Sequence, residues 1–207
     1  MYFNRRCKIT FIAHGATIYS EEGRFSDAQN YPPLSDGGVE EMKNLVEYLK
    51  ARGVKNDAIY SSPSVRTQQS AEMISKLFKQ EYEIVDELSP RQCGKWNGLT
   101  FSQILNSYPN AFSDIVEYPE METQGGGESS IKFVGRIKKV IDELVEKNIG
   151  NRIIIVTHPE VIQAAICAAL DIKADKLLKI YIRTGSLTQI SYFENWASLV
   201  YSDNVPL

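Results

Sequence analysis

The feature that most restricts this chain is a pair of short apolar runs, residues 8–13 and 152–157, each ending at a histidine, His14 and His158. The chain has no other histidine. Ile153-Ile154-Ile155-Val156 is near-continuous in its apolar character, as a central strand covered on both faces requires. In open α/β folds the carboxyl ends of the strands form the ligand crevice, so two strand-end imidazoles are expected to face one pocket.

A chain of 207 residues with 43% hydrophobic content is long enough for one core, and a single domain over 1–207 is expected. Its 23 Lys+Arg against 26 Asp+Glu give a formal net charge of -3, without the basic field that nucleic acid binding requires. The three cysteines, Cys7, Cys93 and Cys167, lack Cys-x-x-Cys spacing, which argues against a disulfide framework or a structural zinc. Arg5 and Arg6 precede an apolar run too short for a secretory or membrane segment, and the expected location is the cytoplasm.

Beyond the first strand and Gly15, Val39, Met42, Leu45, Val46 and Leu49 recur at helical spacing, with Ser35 or Asp36 as N-cap and Gly53 as the stop. Residues 58–61 read as a strand. Pro63 then sits where a proline fits a first helical turn, and the helix runs to Phe78. Residues 83–85 suit a third strand, 101–108 a short helix and 118–127 a loop. Ile131, Val134, Ile137, Ile141 and Leu144 mark another helical face before the strand 152–157, and a helix over 160–170 would cover that strand. Two final runs, 187–193 and 197–201, predict a hairpin.

A strand-end imidazole beside helix N-termini and an arginine is apparatus for phosphoryl transfer. Neutral imidazole is a nucleophile, and backbone N–H groups and guanidinium hold the charge-bearing oxygens. Arg66 is the arginine chosen, because Tyr60-Ser61-Ser62-Pro63-Ser64-Val65-Arg66 places it one turn into a helix just past a strand.

Five blocks, in order and spanning most of the chain, resemble the histidine phosphatase superfamily, which includes the cofactor-dependent phosphoglycerate mutases. They are His14-Gly15-Ala16-Thr17 with Gly23-Arg24, Pro33-Leu34-Ser35 and Gly38; Tyr60 to Arg66 with Gln69 and Ala71; Gly94-Lys95-Trp96-Asn97-Gly98; Gly126-Gly127-Glu128-Ser129 with Arg136; and Val156-Thr157-His158. The resemblance implies a three-layer α/β/α sandwich with a mainly parallel sheet. It also implies a phosphohistidine at His14, phosphoryl binding by His158 and Arg66, and a pocket that includes Gly15, Thr17 and Ser20. No metal or other cofactor is expected. The expected partner is a small phosphorylated substrate, with no nucleic acid and no membrane, and a homodimer is left open.

The chain departs from the family pattern at two positions. Ala13 stands where the family has an arginine, which removes one guanidinium. Pro90 stands where most branches carry the glutamate that protonates the leaving group. Glu87, on the same loop, and Glu160, two residues past His158 and similar to the His-Ala-Glu arrangement of the acid phosphatase branch, are the candidate replacements. Arg91 is a candidate for the lost guanidinium. Pro159 replaces the usual glycine and suits a helix start. Trp96 and Leu99 are expected in the core, Glu128 either in the pocket or capping the next helix, and the glycines 125–127 in a flexible loop. Tyr19 or Tyr31 is expected beside the substrate, whose non-phosphate part would be read by loops 20–32 and 110–125. The function expected is phosphomonoester hydrolysis. The alternatives are a catalytically silent relative that binds a phosphorylated ligand, a mutase-type phosphotransferase, disfavoured because the inserted segment of the mutases is missing, and, last, a two-histidine metal site.

Overall fold

The computed structural model describes residues 5–27, 31–123 and 125–206. Its sheet has six strands, β1 (Arg5–Ala13), β2 (Ala58–Ser61), β3 (Tyr82–Ile84), β4 (Arg152–Thr157), β5 (Leu187–Phe193) and β6 (Ala197–Asn204), in the order β3-β2-β4-β1-β5-β6. The first four run parallel to their neighbours in that set, and β5 and β6 add an antiparallel edge. The apolar run in β4 thus lies at the centre, paired on both sides and covered on both faces.

Side chains alternate across a strand, and the two faces of this sheet bury different partners. Ile12, Ile59, Ile154 and Val156 pack on α2 (Asp36–Ala51) and α3 (Val65–Phe78) through Met42, Leu45 and Ile74. Phe11, Ile153 and Ile155 pack on α6 (Ser130–Lys147) and α7 (Pro159–Ala169) through Phe133, Ile137 and Val161. The result is the three-layer α/β/α arrangement. A third, smaller cluster around Trp96, Ile104 and Ile115 lies beneath α4 (Phe101–Ser107) and α5 (Ala111–Glu117) and anchors the loops over the site.

Several local expectations change. The helix after β2 begins at Val65, with Ser64 as the N-cap residue, so Pro63 precedes it and does not form its first turn. A short helix, α1 (Ile18–Glu21), follows His14, started by Thr17 and Ser20, whose side chains each take the other's backbone N–H. The glycines 125–127 are docked: Lys95 N–H donates to the Gly125 carbonyl and Glu128 N–H to that of Gln92. A side chain at Gly127 would meet the Gln92 carbonyl oxygen at 2.3 Å. Residues 28–30 and 124, inside the two loops expected to read substrate, lie outside the described residues.

Candidate active site

The register of the sheet brings the histidines together. Ala13 pairs with Thr157, so the next residue on each strand leaves the same edge, and His14 N–H continues the ladder to the Thr157 carbonyl at 2.9 Å. The two rings sit with centroids 5.2 Å apart, edge to face. His158 is the N-cap residue of α7, with Pro159 at the first helical position as expected. Ser62, one residue past β2, places its Oγ 2.8 Å from His158 Nε2. Arg66, in the first turn of α3, is almost wholly buried and donates from Nη2 to the Ser26 carbonyl at 3.3 Å.

His14, His158 and Arg66 line a cavity of about 260 Å³, whose wall also includes Thr17, Tyr19, Ser20, Phe25, Glu160 and Gln163. The ring of His14 is held by its Nδ1, 2.8 Å from the Gly15 carbonyl. A carbonyl only accepts, so Nδ1 carries the proton, and in the neutral ring Nε2 keeps its lone pair. Burial and the nearby Arg66 charge lower the His14 pKa to about 3, against the pull of the Gly15 carbonyl. His158 is pushed well below its ordinary value by burial, Arg66 and His14. Both rings are therefore neutral at pH 7. Burial lowers the Arg66 pKa to about 10, opposed by Glu160 and Asp27, which leaves it cationic at neutral pH.

Of the two candidate acids, only Glu160 lines the cavity. Burial raises its pKa to about 7 despite Arg91, whose backbone N–H donates to Glu160 Oε1 at 2.8 Å. Glu87 lies on the turn Asp86–Leu88, which turns Leu88 into the core and leaves the Glu87 side chain exposed, away from the cavity. The 87–90 segment is held by Arg136, which donates to the carbonyls of Glu87, Ser89 and Pro90 and, from Nε and Nη2, to the two oxygens of the Glu128 carboxylate. Glu128 is absent from the cavity wall, and the cap of α6 is Ser129, whose side chain accepts from Lys132 N–H.

Other expected residues also lie elsewhere. Gly15 N–H donates to Ser70 Oγ at 3.3 Å, and Gly15 stays out of the cavity wall. Ala13 and Pro90 are buried away from it, Ala13 among the apolar residues facing α6 and α7. Tyr19 reaches the cavity, whereas Tyr31 packs against the Tyr19 ring at 5.4 Å. Trp96 is buried as expected, and Leu99 packs partly buried beside it. The cavity also takes Arg24 and Thr184, which sequence reasoning did not place there; the Gly23-Arg24 pair was the available signal for the first. Cys93 lines the wall, but burial, Glu160 and Asp27 push its thiol up and keep it protonated. Among the described residues no group of three or more His, Cys, Asp or Glu is gathered that could hold a metal ion, and no helix is long and apolar enough to cross a membrane.

Strand-end imidazoles, a buried guanidinium and a cavity at the carboxyl edge of a mainly parallel sheet define a phosphate-handling α/β protein. The model of the histidine phosphatase superfamily (branch 1) matches residues 9–204, and the chain belongs to that family. It is 27% identical to phosphoserine phosphatase 1 of Hydrogenobacter thermophilus, over 82% of this chain and 79% of that protein. It is also 27% identical to a metal-independent phosphoserine phosphatase of Arabidopsis thaliana, over 96% of this chain and 84% of that protein. A bifunctional protein of Mycobacterium tuberculosis matches at 26% over 93% of this chain, which spans 52% of that protein. Among solved structures, YhfR of Bacillus stearothermophilus superposes with a TM-score of 0.86 at 25% identity, covering 96% of this chain and 98% of that one. Family and relatives together support a phosphatase.

Proposed function

We propose that this chain hydrolyses small phosphomonoesters through a phosphohistidine on His14. The observation that carries the reading is the Nδ1–H bond of His14 to the Gly15 carbonyl, which aims an unprotonated Nε2 beside His158 and Arg66. In the first step Nε2 attacks phosphorus, the N–P bond forms and the P–O bond to the alcohol breaks. Glu160, protonated, gives its proton to the departing alkoxide. In the second step water attacks phosphorus, Glu160 takes the water proton, the N–P bond breaks, and inorganic phosphate leaves with Nε2 restored. Arg66 and His158 hold the equatorial oxygens, where charge accumulates.

The cavity, at about 260 Å³, is just below the usual range of ligand pockets and suits a phosphate with a compact alcohol. The relatives named as phosphoserine phosphatases fit that size class. Rapid quenching after mixing with labelled substrate is the test. Acid-labile label on the native chain and none on His14→Ala is the expected result, with release to water at the rate of turnover. Turnover that survives in His14→Ala overturns the reading. Label that forms but passes only to a second alcohol marks a phosphotransferase, and bound phosphate without label a silent relative.

A further inference from the structure

The backbone of Ser62 is pinned by three hydrogen bonds. Its N–H donates to the Val156 carbonyl at 3.0 Å, and its carbonyl accepts from Thr67 Oγ1 at 2.8 Å and Ser61 Oγ at 2.9 Å. Only the side-chain torsion is left to set, and the hydroxyl has one hydrogen-bond partner among the described residues, His158 Nε2 at 2.8 Å. Ser62 is wholly buried and outside the cavity wall, whereas the His158 ring is part of that wall, so Ser62 reaches the phosphate site only through the ring. A neutral imidazole carries one N–H and one lone pair, and a hydroxyl carries one donor. If Nε2 donated to Ser62, the hydroxyl hydrogen would be left in the interior with no acceptor, which is costly. If the hydroxyl donates to Nε2, the pair is satisfied and the one ring proton sits on Nδ1.

The geometry points to Ser62 as a positioning residue that fixes the Nδ1–H form of His158 and so supplies the phosphoryl oxygens with a ring proton. The inference rests on the phosphatase reading in one respect, that a phosphoryl group occupies the cavity. The two rings then hold the same tautomer for opposite purposes. His14 has its Nδ1–H tied to the Gly15 carbonyl, which leaves Nε2 bare as a nucleophile, and His158 has its Nε2 tied to a hydroxyl donor, which leaves Nδ1–H for an anionic oxygen. A bare nitrogen at His158 would repel the oxygens it has to hold, whereas an N–H attracts them. An acceptor behind one ring and a donor behind the other thus assign different roles to two histidines whose centroids are 5.2 Å apart. Without the hydroxyl no described residue selects between the two forms of His158, and only the Nδ1–H share binds the anion.

The chain has two histidines, so nitrogen-15 labelling of histidine gives two ring patterns in a magnetic resonance spectrum, and each pattern tells which nitrogen holds the proton. His14→Ala assigns them. At neutral pH both rings of the native chain are expected as Nδ1–H. In Ser62→Ala the His158 pattern is expected to move toward Nε2–H while that of His14 stays, which also reports an intact fold. Vanadate should bind Ser62→Ala about threefold to tenfold more weakly, in proportion to the lost share of the Nδ1–H form. A His158 proton found on Nε2 in the native chain, or a His158 pattern that Ser62→Ala leaves unchanged, overturns the inference. A changed pattern with unchanged vanadate affinity overturns its second half, that this proton meets the phosphoryl group. Neither readout needs turnover, so failure of the native chain to hydrolyse phosphomonoesters counts against the phosphatase reading alone.

Discussion

Glu160 is the residue on which pH acts most directly. Its carboxyl titrates at about 7, with burial outweighing Arg91, so its protonated fraction falls as pH rises through neutrality. For alkyl phosphates, whose leaving groups need a proton, kcat/KM is expected to fall above about pH 7. Glu160→Gln should remove that limb and lower kcat by about 10²-fold or more on such esters. p-Nitrophenyl phosphate, whose leaving group departs unprotonated, should lose far less. An equal loss on both esters would show that Glu160 holds the pocket's shape and donates nothing. Position in the sequence left Glu87 and Glu160 equivalent, since both lie near a motif residue. Only the turn that faces Glu87 outward, and the helix start that faces Glu160 inward, separate them. His14, His158 and Arg66 were legible because a strand end or a first helical turn fixes their direction. Arg24 and Thr184 were not, because loops that no periodicity describes bring them in.

At the scale of the element, close contact between backbones sets the site. A Cβ at Gly38, in the first turn of α2, would lie 1.9 Å from the Ala16 carbonyl oxygen, and one at Gly15 would lie 2.2 Å from that of Gly38. The segment that follows His14 therefore rests directly on α2. Neither obstacle is the flexible tip of a side chain, so Gly38→Ala must displace the segment or the helix. A stability loss of about 1–3 kcal/mol in urea titration is expected. Vanadate affinity should fall about tenfold or more as Thr17 shifts with its loop. Unchanged vanadate affinity would mean that the pocket is indifferent to this contact. The alternating and helical apolar patterns made β1, β2, β4, α2, α6 and α7 readable. The short helix α5 lies within the segment 110–125 that composition marks as loop, because its seven residues bury only Ala111 and Ile115, too few for a period to show. The docking of residues 125–127 was equally hidden, since backbone partners 30 or so residues away leave no pattern in composition.

For the molecule as a whole, burying titratable groups at the edge of the sheet couples the site to folding. An unfolded histidine titrates near 6.5 and folded His14 at about 3. As pH falls below 6.5 the unfolded chain therefore takes up a proton that the folded chain refuses, and stability is lost. At pH 5 this costs about 2 kcal/mol for His14, and His158, also shifted down, acts in the same direction. Glu160 works the other way. Its folded value of about 7 lies above the ordinary 4.5, so its burial costs most at high pH and is relieved as pH falls from 7 toward 4.5. Between pH 8 and pH 5 the two effects partly offset, and substitution separates them. In phosphate-free buffer, His14→Asn should lose about 2 kcal/mol less stability than the native chain over that interval, and Glu160→Gln about 2 kcal/mol more. Urea midpoints at the two pH values measure both. Parallel changes in all three chains would mean that neither group is held in the protonation state its surroundings impose. His14 and Glu160, the proposed nucleophile and acid, are displaced in opposite senses by the same burial, so the cavity that sets their protonation near pH 7 also sets the pH range over which the fold is most secure.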